Sequence, residues 1–202
     1  MEEIENKIDL SNKNLKTINL NSLNCTNIST LSLNNNDLIE IPSIIFKSLT
    51  SLKEFYIDHN KLESIPNEIG ELINLEHLTL HFNLLKTIPS SFGKLKNLKH
   101  LRLDENELEY LPEELSNCNS LTVFHFPGKK HSKMVKLIDS MDKLENLIDV
   151  GINSQLEYFP PSFANCKKLQ LIWSDEQPKF KNLPIEIFNE GIESINSFFN
   201  KN

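Results

Sequence analysis

The amino-acid sequence predicts an α/β solenoid, in which about eight copies of one short unit stack along a single axis. The first observation is self-similarity, because residues 75–97 align with residues 98–120 with leucines, an asparagine and a proline in register. The second is the alternation of leucine with polar residues in 77–83, which is typical of a strand with one buried face. The third is a change to a spacing of three in 84–97, which favours a turn of α- or 3₁₀-helix returning to the next strand.

The repeat extends over nearly the whole chain. Steps of 23 or 24 residues separate successive copies of its first apolar position, the marker, as far as Leu121, and the later steps are 26 and 22. The markers are Glu5, Ile28, Leu52, Leu75, Leu98, Leu121, Leu147 and Leu169. The sequence therefore predicts a solenoid over residues 1–188 that becomes irregular after residue 121.

The repeat pattern resembles the leucine-rich repeat family, LxxLxLxxNxLxxLPxxxxxLxx. Within it, "IPNEIGELINLEHLTL" (65–80) is most similar to the 23-residue repeats of the intracellular Ras-suppressor, erbin and SHOC-type group. This resemblance implies a right-handed horseshoe with a parallel sheet on its concave side and short helical, 3₁₀ or extended segments on its convex side. It also implies small GTPases or phosphatase complexes as candidate partners.

Asparagines at the strand ends predict an amide ladder. A short amide side chain there tolerates strained backbone angles and can satisfy backbone groups of adjoining turns. These asparagines are Asn36, Asn60, Asn83 and Asn106. The equivalent positions elsewhere hold Lys13, Lys129, Gln155 and Gln177. The ladder is therefore predicted most strongly for repeats two to five.

The three cysteines are predicted to be buried thiols. Cys25, Cys118 and Cys166 each precede a marker by three residues, in a column that is otherwise leucine. The closest two lie two repeats apart, or about 9.6 Å at a strand spacing of about 4.8 Å, whereas a disulfide needs Cα atoms within about 7 Å. We therefore expect no disulfide and a reducing compartment, the cytoplasm.

Composition argues against several classes of function. A formal net charge of −7 and a pI near 5.4 disfavour binding to nucleic acid or to an anionic membrane. A membrane span needs about 18 consecutive apolar residues, and the chain has no such run. Its acidic start also lacks the basic and apolar regions of a secretion signal. We expect a soluble protein without a cofactor.

Two irregular regions need separate interpretation. Residues 189–202 place four apolar residues at helical spacing, which predicts a C-terminal capping helix, or alternatively a partner-docking helix. Repeat six carries three extra residues within "PGKKHSK" (127–133), where Pro127 and Gly128 favour a turn. The positive tip of this loop comprises Lys129, Lys130, His131 and Lys133. A solvated loop and a contact for an acidic or phosphorylated partner both fit.

The predicted concave face carries the candidate binding residues. Side chains between the leucines of LxxLxL point away from the core, and five of the six histidines fall on this face. The candidates are Glu54, Tyr56, Asp58, His59, His77, Thr79, His81, Phe82, His100, Arg102, Asp104, Glu105 and His125. Exposed aromatic residues and arginine are enriched at interfaces, so we predict a protein-binding surface centred on repeats three to six.

Other interpretations of this face stay open. His77, His100 and His81 with Asp58 or Asp104 could supply metal ligands, although no signature fixes a geometry. A solvated scaffold without any site is the other alternative. Because histidine titrates near pH 6.5, we also hypothesise that partner affinity changes between roughly pH 6 and 7.5.

The position of Trp173 is ambiguous in the repeat. "LQLIWS" (169–174) puts Ser174 where a core leucine belongs and Leu171 where a polar residue belongs. A strand slip of one residue would bury Trp173 instead of placing it on the open face.

No pattern in the sequence predicts catalysis. Its serines and cysteines occupy ordinary repeat positions, and an open, wet face is a poor place to strengthen catalytic electrostatics. We predict a monomeric, non-enzymatic adaptor, scaffold or regulatory subunit. A pathogen effector acting inside host cells through the same surface would look identical in sequence.

Overall fold

Among the residues that the structure describes, eight parallel strands form one open sheet in chain order. The structure, a computed structural model, describes residues 6–19, 27–128, 133–134 and 137–201. The strands are β1 (Lys7–Asp9), β2 (Thr30–Ser32), β3 (Glu54–Tyr56), β4 (His77–Thr79), β5 (His100–Arg102), β6 (Val123–His125), β7 (Asp149–Ile152) and β8 (Leu171–Ser174). One strand per repeat, each paired with the next, confirms the predicted solenoid.

The segments that return the chain to the next strand are mostly short 3₁₀ helices. They span Asn67–Glu71, Ser90–Lys94, Glu113–Asn117, Met141–Lys143 and Pro161–Asn165. Repeats two and eight instead use α1 (Ile44–Ser48) and α2 (Ile185–Glu190), and α3 (Ile192–Lys201) follows. A proline in extended conformation precedes four of the 3₁₀ segments. Its fixed φ and missing N–H suit the start of a helical turn.

The core lies between the sheet and these return segments. Leu78 pairs with Leu101 across β4 and β5, and both are fully buried, as are Leu80 and Leu103 two residues further on. Neighbouring return segments approach so closely that a Cβ on Gly93 would lie 2.4 Å from the carbonyl oxygen of Glu114. Stacking therefore buries the apolar side that a single unit would leave exposed, at roughly 1.5 to 3 kcal/mol per large aliphatic side chain.

Buried asparagine amides connect neighbouring turns. Asn83 Oδ1 accepts from Leu62 N (3.0 Å) in the preceding repeat, and its Nδ2 donates to Ile57 O (3.0 Å) in that repeat and to Leu80 O (3.0 Å) in its own. The same pattern recurs at Asn36, Asn60 and Asn106. The expectation that these asparagines themselves take strained backbone angles is wrong. Left-handed backbone occurs one residue earlier, at Asn35, His59, Phe82 and Glu105, with φ of 53° to 55°.

The first two residues of the predicted loop in repeat six, Pro127 and Gly128, still lie against the sheet. Glu105 N donates to Pro127 O (2.8 Å), so strand-like pairing continues through Pro127, and both Pro127 and Gly128 are buried. Lys133 is exposed and lies 3.4 Å from Glu109 Oε1. The other proposed members of the positive tip, Lys129, Lys130 and His131, lie outside the described residues, as does Cys25.

The two described cysteines are buried and free, as expected. Cys118 Sγ donates to Phe92 O (3.1 Å) and Cys166 Sγ to Met141 O (3.3 Å), each bridging to a preceding repeat. Burial raises the pKa of each thiol to about 12.

At the C-terminus, α3 packs on the return segment of repeat seven. Ile195 is fully buried, and the ring of Phe199 stacks on that of Phe159 at 5.9 Å and 10°. The capping role of residues 189–202 stays a prediction.

No helix among the described residues is both long and apolar enough to cross a bilayer.

Candidate protein-binding face

The parallel register aligns the candidate residues in rows across the sheet. We call the solvent side of the sheet, opposite the core, the open face. Its first row is Glu54, His77, His100, Val123, Asp149 and Leu171, and its second is Tyr56, Thr79, Arg102, His125, Gly151 and Trp173. Because every strand has the same offset from its marker, residues far apart in sequence become lateral neighbours.

His77 and His100 are in direct contact at the centre of the open face. Their ring centroids are 4.4 Å apart at an interplanar angle of 61°, and both residues are half-buried. The pKa of His100 is lowered, first by burial and then by the charges of His77, His125 and Lys99. Protonation of His100 is therefore opposed by its surroundings.

Asp58 and Asp104 were predicted to lie on the exposed surface, but they are buried, with exposures of only 7% and 6%. Asp58 Oδ1 accepts from His81 N (3.0 Å), while its Oδ2 accepts from Thr79 Oγ1 (2.7 Å) and lies 3.3 Å from His81 Nε2. Asp104 Oδ2 accepts from Arg102 Nε (3.0 Å). Both carboxylates therefore position their neighbours on the face rather than projecting into solvent.

The turn after the strands carries an aromatic pair. The rings of His59 and Phe82 stack at 4.4 Å and 11°, and the imidazole of His81 packs against both. Phe82 is 44% exposed and has φ of 53°, a backbone region that bulky side chains rarely adopt. Glu105 occupies the equivalent turn position in the next repeat and is half-buried.

The β3 residues form the N-terminal border of this cluster. Glu54 Oε2 accepts from Thr30 Oγ1 (3.1 Å). Tyr56 is half-buried, and its pKa is raised first by burial and then by the carboxylates of Glu54 and Asp58. The phenol of Tyr56 thus stays protonated and keeps its O–H donor at neutral pH.

Sequence reasoning did not predict that His125, Asp149 and Trp173 form a cluster at the C-terminal end of the face. The sheet register puts Ile172 in the core and Trp173 on the open face, half-buried, which resolves the ambiguous position. Trp173 Nε1 donates to Asp149 Oδ1 (3.1 Å), and Asp149 Oδ2 lies 3.1 Å from His125 Nε2, although these two atoms are poorly aligned for a hydrogen bond. The indole covers Gly151, where a Cβ would lie 2.6 Å from Trp173 Cζ2.

A second amide ladder at the strand entrances was also missed. Asn74, Asn97 and Asn146 donate from Nδ2 to the carbonyl oxygens of Thr50 (2.9 Å), Ile73 (2.8 Å) and Asn119 (2.7 Å). Each of these asparagines directly precedes a marker leucine, so the recurring "NL" of "INL", "KNL" and "ENL" is the signal that could have identified them.

The metal interpretation has no geometric support. Within the part of the chain that the structure describes, no three His, Cys, Asp or Glu side chains are grouped so that they could hold a metal ion. Asp58 and Asp104, either of which could join the histidines in the proposed ligand set, are already engaged with His81, Thr79 and Arg102.

Comparisons with known proteins agree with this architecture. A family model described as a leucine-rich repeat region matches residues 44–179. An internalin of Listeria monocytogenes is 22% identical with a TM-score of 0.62, over 74% of this chain and 42% of that one. The plant peptide hormone receptor RGFR1, solved in complex with RGF2, is 27% identical with a TM-score of 0.58, over 78% of this chain and 29% of that one.

A leucine-rich repeat protein of Leptospira interrogans is 22% identical with a TM-score of 0.46, over 86% of this chain and 55% of that one. This chain therefore spans less than two thirds of the length of each of these three structures. The search of curated proteins found no match.

Proposed function

Because this chain belongs to the leucine-rich repeat family, we propose that it is a non-enzymatic interaction module whose protein partner binds the open face over repeats three to six. The fold is one typical of protein-interaction modules, since a rigid sheet presents many side chains in a fixed arrangement. The position of the partner on this face is the part that requires an experiment.

Phe82 is the observation that carries the proposal. A large aromatic side chain in left-handed backbone costs of order 1 to 3 kcal/mol, and Phe82 in addition leaves 44% of its surface in water. At the equivalent turn position, Asn35 accommodates the same backbone angle more easily. A scaffold without a partner has no use for this costly residue, whereas a partner that covers the Phe82 ring would recover the burial free energy.

The neighbouring side chains fit the same role. His59 stacks on Phe82, Arg102 projects from β5, and the buried carboxylates of Asp58 and Asp104 hold His81, Thr79 and Arg102 in place. A surface whose side chains are already ordered loses less conformational entropy when a partner binds.

The finer features of the proposal concern partner and compartment. By resemblance, small GTPases and phosphatase assemblies are the first partners to test. We propose that the module acts in the cytoplasm, because Cys118 and Cys166 are free, buried thiols that donate to carbonyl oxygens. We also propose that it is a monomer.

Affinity capture from lysate of the source cells tests the location of the surface. We expect the triple variant His77→Ala, Phe82→Ala, Arg102→Ala to lose proteins that the wild type captures, since it removes three proposed contact side chains of the open face. A matched control is Ile73→Ala, Lys96→Ala, Tyr110→Ala, which removes an apolar, a cationic and an aromatic side chain that are exposed elsewhere. Recovery of the same proteins by wild type and by the open-face variant would contradict the proposal.

A further inference from the structure

The arrangement of donors on the open face points to the chemistry of the partner. Resting on the proposed function, we infer that the partner presents a carboxylate-bearing segment, rich in Asp or Glu, to His77, His100 and Arg102. These three residues are called the donor patch below.

The donor patch is compact and has unused hydrogen-bonding capacity. His77 and His100 are paired in register, and Arg102 lies two residues beyond His100 on the same side of β5. Neither imidazole donates or accepts a hydrogen bond with any described residue. The Arg102 side chain is 45% exposed and uses only Nε within the chain, toward Asp104. Both terminal nitrogens of the guanidinium remain for a ligand, and Arg102 is the only arginine in the sequence.

Five carboxylates around the donor patch are engaged within the chain. Asp58 is held by His81 and Thr79, Asp104 by Arg102, and Asp149 by Trp173. Glu76, which directly precedes His77, pairs with Lys99 and Lys53, and Glu54 on the adjoining strand β3 accepts from Thr30. These five carboxylates each have a donor, whereas the two imidazoles and the terminal nitrogens of Arg102 have no acceptor among the described residues. An acidic segment is the complementary ligand, even though the whole chain carries a net charge of −7.

Proton uptake should accompany binding to the donor patch. The groups that face its two imidazoles are Glu54 and Glu76 on one side and Lys99, Arg102 and His125 on the other. Burial and the charges of His77, His125 and Lys99 oppose protonation of His100, while a bound carboxylate would favour its imidazolium form. Affinity should therefore rise as pH falls toward the lowered pKa of His100.

Isothermal titration calorimetry with two synthetic peptides tests this inference directly. The probe alternates Glu with Gly and Ser, and its twin carries Gln in place of every Glu. We expect only the Glu peptide to bind at low ionic strength, and its affinity to fall about threefold to tenfold between pH 6 and 7.5.

Single variants assign the effect to the donor patch. Arg102→Gln should weaken the Glu peptide about tenfold, since it removes charge-assisted hydrogen bonds. His100→Gln should flatten the pH dependence. Arg102→Lys should retain part of the affinity, because the charge remains but the planar fork is lost. Lys96→Gln is the matched control; it removes one exposed positive charge after the return segment of repeat four and should bind like wild type. Circular dichroism of each variant checks that the fold is intact.

Several outcomes would overturn the inference. These are equal binding of the Gln twin, full affinity in folded Arg102→Gln and His100→Gln proteins, or equally tight binding of an oligonucleotide of the same charge, which would indicate phosphate as the ligand. The experiments distinguish a failure of this inference from a failure of the proposed function. If lysate capture still depends on His77, Phe82 and Arg102 while the Glu peptide does not bind, only the carboxylate chemistry is wrong.

Discussion

At the scale of single residues, hydrogen-bond partners rather than residue type decide which polar side chains are buried. Asp58 and Asp104 are as inaccessible as the ladder amide of Asn60 because each has donors within reach. By contrast, the imidazoles of His77 and His100 stay half-buried on the surface. Burial of a polar group whose hydrogen-bond partners are in place changes the free energy of folding little. Burial of a group that has lost a partner destabilises the folded state by about 1 to 3 kcal/mol.

The ladder amide of Asn106 provides the test at this scale. Its Nδ2 donates to Leu80 O (2.9 Å) and Leu103 O (2.9 Å), and its Oδ1 accepts from Leu85 N (3.0 Å). Asn106→Ala leaves these buried groups without partners, so we expect the free energy of unfolding to fall by about 3 kcal/mol in urea denaturation.

Asn97→Ala is the matched control for the ladder. Asn97 makes one amide hydrogen bond to Ile73 O, and it is exposed, so its loss should cost under about 1 kcal/mol. Equal destabilisation by the two substitutions would show that the buried ladder has no special role.

At the scale of elements, the return segments are short and depend on cross-repeat contacts. A 3₁₀ helix of three to five residues has little stability of its own. A proline restricts the chain before four of these segments. Gly93 packs closely against Glu114 of the next segment, and the thiols of Cys118 and Cys166 donate to Phe92 O and Met141 O of earlier segments.

The thiols give these elements a pH-dependent stability. Burial raises the pKa of Cys118 and Cys166 from 9.0 to about 12. A pKa raised by folding contributes stability that is fully present below pH 9 and is lost as pH rises from 9 toward 12. We expect each thiol to lower the free energy of unfolding by up to about 1.4 kcal/mol per pH unit in that range.

Denaturation of wild type and of a Cys118→Val, Cys166→Val variant between pH 8 and 11 measures this term. Tyr and Lys titrate in both proteins, so the difference in slope isolates the two thiols. Parallel stability profiles would mean that the buried thiols ionise as easily in the folded chain as in the unfolded one.

At the scale of the whole molecule, each repeat is stabilised mainly by contacts with the repeats before and after it. In the part of the chain that the structure describes, each strand pairs only with its sequence neighbours, so stability is approximately a sum of repeat and interface contributions. At the C-terminal end, α3 covers the return segment of repeat seven through Ile195 and Phe199.

Ile195→Ala tests whether α3 acts as a cap. Truncation of this fully buried isoleucine should lower the free energy of unfolding by about 2 to 5 kcal/mol. The repeats nearest the helix should be destabilised first. We expect hydrogen exchange to accelerate in β7 and β8 and to stay slow in β4 and β5. Ser197→Ala on the same helix is exposed and serves as the control. Uniform acceleration over all strands would indicate one global unfolding unit instead of a local cap.

The sequence by itself determined the repeat, the register and therefore the neighbours. His77 contacts His100 because both lie two residues after a marker, and in-register stacking turns equal offsets into lateral contacts. The same argument located the buried thiols and the asparagine column, since each position has one environment in every regular repeat.

Only the tertiary structure decided how side chains on the open face use one another. Whether Asp58 reaches solvent depends on where Thr79 and His81 of the next strand extend, and whether Trp173 lies on the face depends on the space above Gly151 and on the carboxylate of Asp149. The left-handed backbone of Phe82 likewise follows from closure of the turn rather than from its own preference. A periodic pattern specifies which residues are neighbours, because backbone geometry repeats, whereas side-chain length and hydrogen-bonding capacity differ in every repeat.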